Sequence, residues 1–135
     1  MKMTRASSYA LHAVAYMALQ KSDKPVASHH IAQARGIPER FLLKVLKPLV
    51  SARVLLSVKG PNGGYRLARQ PNEITMLEIL EAVDGPIRGQ APFSDEESDG
   101  HLNHKLENIC KQTADQVRKQ LDKVRISDLV SNRRS

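Results

Sequence analysis

The chain has 135 residues, 41% of them hydrophobic, with one cysteine and a formal net charge of +7. This length suits one domain, or a small domain with an extension. No apolar run approaches the length of a membrane span, and a single cysteine cannot form an internal disulfide, so we expect a cytoplasmic protein with no membrane partner.

Charge is divided unevenly along the chain. Residues 1–70 contain 12 Lys and Arg against two Asp and Glu, whereas residues 71–135 contain nine against 12. A basic half joined to a mildly acidic half indicates a polyanion-binding module attached to a part with another role. Nucleic acid is the polyanion that this pattern favours.

The basic half begins with a pattern of helices. Ser7 or Ser8 is placed to cap the first, and its apolar residues over 11–19 fall on one face. Ser28 is placed to cap a short second helix, "HHIAQAR", and Gly36 is placed to end it.

The third helix, "PERFLLKVLKPLVSA", carries two different faces. Pro48 lies near its end, where we expect a kink or a tightened last turn. The helical period predicts a buried apolar stripe and a separate basic face. The stripe comprises Phe41, Leu42, Val45, Leu46 and Leu49, and the basic face comprises Arg40, Lys44 and Lys47.

Two strand-like segments follow, "VLLSV" and "YRLAR", and "KGPNGG" joins them. Their alternation predicts a hairpin, and helix, short helix, helix, hairpin is the order of a winged helix-turn-helix. The glycine pair 63–64 indicates that a nucleotide phosphate, DNA or the chain itself comes close to this backbone. A nucleotide-binding glycine loop would open a helix, whereas a strand follows here. We therefore interpret the loop as a wing that approaches DNA, and we predict that the protein is not an enzyme.

The second half begins with a well-marked helix. Thr75 and Glu78 predict a capping box, and Ile74 with Ile79 predicts a hydrophobic staple. Residues 87–100 are rich in Gly, Pro and acidic residues, which indicates a mobile loop. A long helix then carries one narrow apolar stripe, which must pack on the first helix or on its copy in a second chain. The closing segment "RISDLV" predicts a short helix, with a frayed basic tail after it.

Five segments carry a resemblance that covers nearly the whole chain. They are "SSYALHAVAYMAL", "IAQARGIPERFLLKVLKPLV", "GPNGGYRLAR", "ITMLEILEAVDGP" and "LDKVRISDLV". Together they resemble the Rrf2 family of bacterial winged-helix transcription regulators. The resemblance implies a mainly α fold, with a winged helix-turn-helix DNA-binding domain over residues 1–85, a flexible acidic loop over 86–101, and a dimerisation helix with a short terminal helix over 102–130.

The resemblance also implies a homodimeric, sequence-specific regulator, which we expect to be a repressor, on a palindromic operator in double-stranded DNA. The third helix would enter the major groove, the wing the minor groove, and the start of the first helix would meet phosphates. The predicted DNA contacts are Arg5, Ser7, Ser8, Tyr9, Ser28, Glu39, Arg40, Leu43, Lys44, Lys47, Lys59, Gly60, Pro61, Asn62, Gly63 and Gly64. The predicted dimer contacts are Leu102, Leu106, Ile109, Thr113, Val117, Leu121 and Val124.

The same family includes proteins that bind an iron–sulfur cluster through three cysteines in the loop before the long helix. This sequence has Ser98 and His104 at about those positions. A cluster needs several thiolates, so we predict no iron–sulfur cluster, no other cofactor and no metal site. Cys110, beside the apolar stripe, is interpreted as a small core residue or as a redox-sensing thiol.

The effector of such a regulator is not identified by these motifs, and two alternatives stay open beside an effector-controlled repressor. One is a constitutive or architectural DNA-binding protein with no effector. The other is a thiol redox sensor that acts through Cys110.

Overall fold

The computed structural model describes residues 2–89 and 100–131. Its elements are α1 (Arg5–Ala18), α2 (Ser28–Arg35), α3 (Glu39–Ser51), β1 (Leu55–Val58), β2 (Gly64–Leu67), a 3-10 turn (Pro71–Glu73), α4 (Met76–Asp84), α5 (Gly100–Asp122) and α6 (Ile126–Val130). Most of the predicted flexible loop and the basic tail lie outside the described residues. The long helix begins at Gly100, two residues before the predicted boundary. None of the helices in the described ranges has the length and apolarity of a membrane-spanning helix.

The first two helices begin differently from the prediction. Thr4 caps α1, because its hydroxyl accepts the Ser7 N–H at 3.0 Å, and neither Ser7 nor Ser8 has that role. Ser28 is the first residue of α2 and does not cap it. Gly36 ends α2 in the left-handed conformation, as predicted. A capping hydroxyl must precede the helix, so each predicted serine lay too far along the chain.

The core is aliphatic and lies between α1, α2, α3, α4 and the base of the hairpin. Its fully buried large side chains are Ile31, Leu42, Leu46, Leu49, Leu55, Ile74, Ile79 and Ile126. Phe41 was predicted to join them, but it is 40% exposed. It lies at the edge of the apolar stripe, about 100° around the helix from Leu42, and the fold turns that edge outward.

A third segment of the chain is hydrogen-bonded to the hairpin. β1 pairs antiparallel with β2, with Leu55 opposite Leu67 and Val58 opposite Gly64. Val26, before α2, adds two backbone hydrogen bonds to Tyr65, each 2.8 Å long. The wing is therefore fixed at its base to the segment that leads into the helix-turn-helix.

Gly63 and Gly64 permit close contacts between backbone segments at the wing. A Cβ on Gly64 would overlap the Val26 carbonyl group, and Gly64 has φ +148°. A Cβ on Gly63 would overlap the Val58 carbonyl oxygen. The close approach that the two glycines permit is thus made by the chain's own backbone.

Gly64→Ala is expected to lower the free energy of unfolding by about 2 kcal/mol or more, since backbone strain adds to the overlap with Val26. Gly60→Ala is the matched control, because Gly60 has φ +113° but open space around its Cα. It should cost only the strain, about 1 kcal/mol. Urea unfolding followed by circular dichroism measures both variants, and equal losses would show that the Val26 contact has no effect.

α4 connects the hairpin to the C-terminal helices. Thr75 and Glu78 form the predicted capping box at its start. Glu78 also pairs with Arg69 at 3.0 Å, and Arg69 donates to the Glu73 carbonyl at 3.1 Å. Arg69 therefore holds the end of the wing against α4, a role that its sequence context did not indicate.

α5 packs mainly on α4, and α6 packs on α1. Within α5, Ala114 and Leu121 are buried, and Arg118 reaches Glu81 of α4 at 3.9 Å. These contacts all lie in the C-terminal half of α5. The prediction that the stripe packs on the first helix is therefore replaced by a contact with α4, and the N-terminal half of α5 extends beyond it.

Candidate nucleic-acid interface

The turn between α2 and α3 has the geometry of a helix-turn-helix. Ile37 is 5% exposed, and its N–H donates to the Ala32 carbonyl at 2.9 Å, which anchors the turn in the core. The Ser28 hydroxyl donates to the Glu39 carboxylate at 2.8 Å, joining the first residues of the two helices. Two predicted DNA contacts are therefore hydrogen-bonded to each other.

The outward face of α3 combines charge with exposed apolar surface. Arg40, Leu43, Lys44 and Lys47 are all exposed, as predicted for groups that face DNA. Phe41 lies among them: the Arg40 guanidinium carbon is 4.9 Å from its ring centroid, and the Lys44 amino nitrogen is 5.6 Å from it. At these distances each cation is attracted to the ring, so the three side chains restrain one another.

The wing tip is open to solvent. Lys59, Gly60, Pro61 and Asn62 are exposed. The Gly63 N–H donates to the Gly60 carbonyl at 3.0 Å and closes the turn. Gly63 and Gly64 are half-buried, consistent with their packing against the chain's own backbone, whereas the tip residues 59–62 are exposed, as are residues 56–58 of β1 and Arg66 of β2.

At the start of α1, Arg5 is exposed and Ser8 and Tyr9 are half-buried, which leaves all three accessible. Ser7 is fully buried, and its hydroxyl donates to the Asp84 carboxylate. The expectation that Ser7 meets a phosphate is therefore corrected, because its hydroxyl already has a partner inside the fold.

Asp84 also accepts a hydrogen bond from the Thr4 hydroxyl at 2.8 Å. The last residue of α4 thus holds the capping residue and the first turn of α1. Sequence reasoning missed this arrangement, since Thr4 and Asp84 are 80 residues apart. The only local signal was a Thr three residues before Ser7.

The predicted dimer residues fall into two groups. Leu121 is buried, and Val117 and Val124 are half-buried within the chain's own fold. Leu102, Leu106 and Ile109 are 52%, 37% and 58% exposed, and Thr113 is exposed as well. The N-terminal half of α5 therefore presents an apolar stripe that the chain's own core does not cover.

Cys110 is a half-buried free thiol and not a core residue. It lines a cavity of about 470 Å³ between α1, α4 and α5, together with apolar side chains and the basic residues Lys2 and Arg88. Within residues 2–89 and 100–131, no group of three or more His, Cys, Asp or Glu side chains is arranged to hold a metal ion.

A helix-turn-helix with a basic outward face, followed by a hairpin braced beside it, defines a winged helix-turn-helix protein. The model of the Rrf2 family, described as "Iron-dependent Transcriptional regulator", matches residues 3–132. The chain therefore belongs to the Rrf2 family. Proteins of this family are transcriptional regulators and not enzymes, as the sequence predicted.

Individual relatives agree with this assignment. An HTH-type transcriptional regulator by name, from Mycobacterium tuberculosis, is 35% identical over 101 residues, which cover 70% of this chain and 63% of that protein. The chain thus spans less than two thirds of that relative's length. IscR of Aliivibrio salmonicida is 28% identical over 96% of this chain and 77% of its own.

CymR of Bacillus subtilis is similar in both sequence and structure. Its sequence is 28% identical over 97% of this chain and 91% of its own. Its structure, titled as that of the global cysteine regulator, covers 99% of both chains with a TM-score of 0.76 and 26% identity. The mainly α fold with a winged helix-turn-helix and a long C-terminal helix is therefore confirmed.

Proposed function

We propose that this chain is a homodimeric, sequence-specific DNA-binding regulator that represses transcription from a palindromic operator. The observation that carries the proposal is the outward face of α3, where Arg40 and Lys44 lie one turn apart, exposed and restrained by Phe41. Both are within the first two turns of the helix, the part of a recognition helix that meets base edges.

The described elements can engage a duplex together. Arg40 can donate two parallel hydrogen bonds to a guanine in the major groove, and Lys44 can reach the same edge. Lys59 at the wing tip and Arg5 at the start of α1 are both exposed, which supports contacts of Lys59 with the adjacent minor groove or its phosphates and of Arg5 with the DNA backbone. The excess positive charge of residues 1–70 supplies the sequence-independent part of the affinity.

The uncovered stripe on α5 supports the homodimer. Three large apolar side chains on one helix face are costly to leave in water, and a second copy offers an identical face. Two copies would present two α3 helices, which matches a palindrome. Repression follows from occupancy, since a dimer on the operator excludes other proteins from that DNA.

The residues present do not fit the iron–sulfur cluster that the family's description suggests. The sequence holds one cysteine per chain, whereas a cluster is held by several thiolates. Among the described residues that line the cavity of Cys110, the neighbours are mostly apolar or basic, and Asp84 is the one carboxylate. We therefore propose a regulator without a cluster.

Selection of bound fragments from fragmented genomic DNA tests the proposed function. The expected result is enrichment of a palindrome whose half-sites are spaced by about 10 bp or a multiple of it. An architectural protein would enrich no motif, and a monomeric reader would enrich a single half-site. Either result would overturn the proposal.

A thiol redox sensor is the second candidate, and the surroundings of Cys110 favour it. The thiol is half-buried and lies with Lys2 and Arg88 around one cavity, where a small oxidant can reach it. In the same selection, diamide-treated protein would then fail to enrich the motif, whereas treated Cys110→Ser protein would enrich it. Equal enrichment in all arms would exclude this candidate.

A further inference from the structure

Two large apolar side chains stand on the outward face of α3. Phe41 is 40% exposed and Leu43 is 43% exposed, among Arg40, Lys44 and Lys47. Neither side chain belongs to the buried aliphatic core. Exposed aromatic and aliphatic groups in the first two turns of a recognition helix are placed to be covered when the helix enters a groove.

We propose that Phe41 and Leu43, which lie on opposite sides of the cationic residues of α3, each read a thymine methyl group in the major groove of the operator. Thymine is the base that presents a methyl group there, and Phe is among the side chains that contact it. This inference rests on the proposed function and adds a base preference that hydrogen-bonding groups alone do not supply.

Because Phe41 contacts Arg40, the thymine that Phe41 contacts is expected to lie next to a guanine. The Phe41 ring lies 4.9 Å from the Arg40 guanidinium carbon and 5.6 Å from the Lys44 amino nitrogen. Arg40 can pair with guanine while the ring that restrains it covers an adjacent base pair. A half-site read in this way contains thymine beside guanine.

A second copy of the chain is the competing occupant of this face. The uncovered apolar stripe on α5 already offers that copy a surface free of the cations that surround Phe41. A thymine methyl group between phosphates suits a mixed apolar and cationic face, whereas an interface between two copies would bring Arg40, Lys44 and Lys47 of each chain together, against one carboxylate, Glu39, on each face.

Deoxyuridine substitution tests the inference with one methyl group. Each thymine of the selected operator is replaced in turn, and the Kd of wild type, Phe41→Ala and Leu43→Ala is measured. For wild type, one or two positions should lose affinity about four-fold, the scale of exposing one methyl group. At those positions, the matching alanine variant should show no further loss.

Leu19→Ala is the matched control. Leu19 is 53% exposed and lies at the C-terminal end of α1, whereas the proposed phosphate contacts of α1 lie at its N-terminal end. This variant should therefore reproduce the wild-type deoxyuridine pattern. Light scattering reports the oligomeric state of every variant. A Phe41→Ala protein of altered oligomeric state would assign the face to the interface between copies and overturn the inference.

The remaining outcomes separate this inference from the proposed function. A protein that binds its operator specifically but is insensitive to deoxyuridine at every thymine retains the proposed function and refutes methyl reading. The same conclusion follows if Phe41→Ala and Leu43→Ala keep the full wild-type pattern. A protein that selects no operator fails at the proposed function, and the inference fails with it.

Discussion

The Arg40→Ala/Lys44→Ala double variant is expected to bind the selected operator at least ~30-fold more weakly than wild type, because each lost base contact costs about 1–3 kcal/mol. Binding to unrelated DNA should fall much less, since that binding depends on total charge. Because both cations contact Phe41, the two single substitutions should not add independently. Fluorescence anisotropy titrations on operator and scrambled duplexes measure all of these effects.

Lys21→Ala/Lys24→Ala provides the charge-matched control. Both lysines are exposed in the loop between α1 and α2, and their removal lowers the net charge by the same amount. This variant should lose similar affinity for both duplexes. If the α3 variant kept its preference for the operator, the proposed docking of α3 in the major groove would be wrong.

Local sequence signals predicted those parts of the fold that are built from neighbouring residues. The capping box of Thr75 and Glu78 and the left-handed Gly36 each depend on a few adjacent positions, and both are present. The exposure of Phe41, in contrast, could not be predicted from local sequence signals. Helical periodicity places it on the border between two faces, and only the packing of α3 on α1 decides which face it joins.

The glycine pair shows a second limit. The sequence indicates that something approaches residues 63 and 64, but several partners satisfy that requirement. The actual partner of Gly64 is the Val26 carbonyl group, and its position depends on how the loop before α2 returns to β2. A contact between segments this far apart leaves no trace in the local composition of either. The backbone of the wing is consequently fixed by contacts within the chain, and the tip residues 59–62 are the proposed DNA contacts that stay exposed.

Ser7 illustrates how an occupied partner removes a candidate from an interface. Its position at the start of α1 suits a phosphate contact, but its hydroxyl donates a hydrogen bond to the carboxylate of Asp84 at the end of α4. Asp84 also accepts a hydrogen bond from the Thr4 hydroxyl, so one carboxylate joins the first turn of α1 to the end of α4.

The apolar stripe on α5 was predicted from local sequence, but the fold decides which parts of it are covered within the chain. Its apolar period runs without a break along the helix, so the sequence predicted one interface. The fold divides the stripe: from Ala114 onward it meets α4, while Leu106 and Ile109 remain 37% and 58% exposed. The division depends on the length and position of α4, which no property of α5 encodes. The proposed dimer interface is therefore restricted to the N-terminal half of α5.

The Leu106→Glu/Ile109→Glu variant is accordingly expected to be a folded monomer that has lost at least ~100-fold in operator affinity. Opposed glutamates would repel across a two-fold interface, and a monomer engages one half-site without the gain from linked binding. Circular dichroism should show little change in helix content, since both side chains are exposed within the single chain, and a lower melting temperature, since association stabilises the folded state of the wild type. Light scattering gives the mass, and anisotropy on whole and half operators gives the affinity.

Leu19→Glu/Leu129→Glu is the control, because both leucines are exposed, at 53% and 48%, and lie outside α5. It makes the same change in charge and should remain dimeric with operator affinity close to wild type. A wild-type protein that is monomeric would refute the proposed homodimer, and an α5 variant that stays dimeric would place the interface elsewhere. A monomeric variant that binds the whole operator as tightly as wild type would separate dimerisation from DNA recognition.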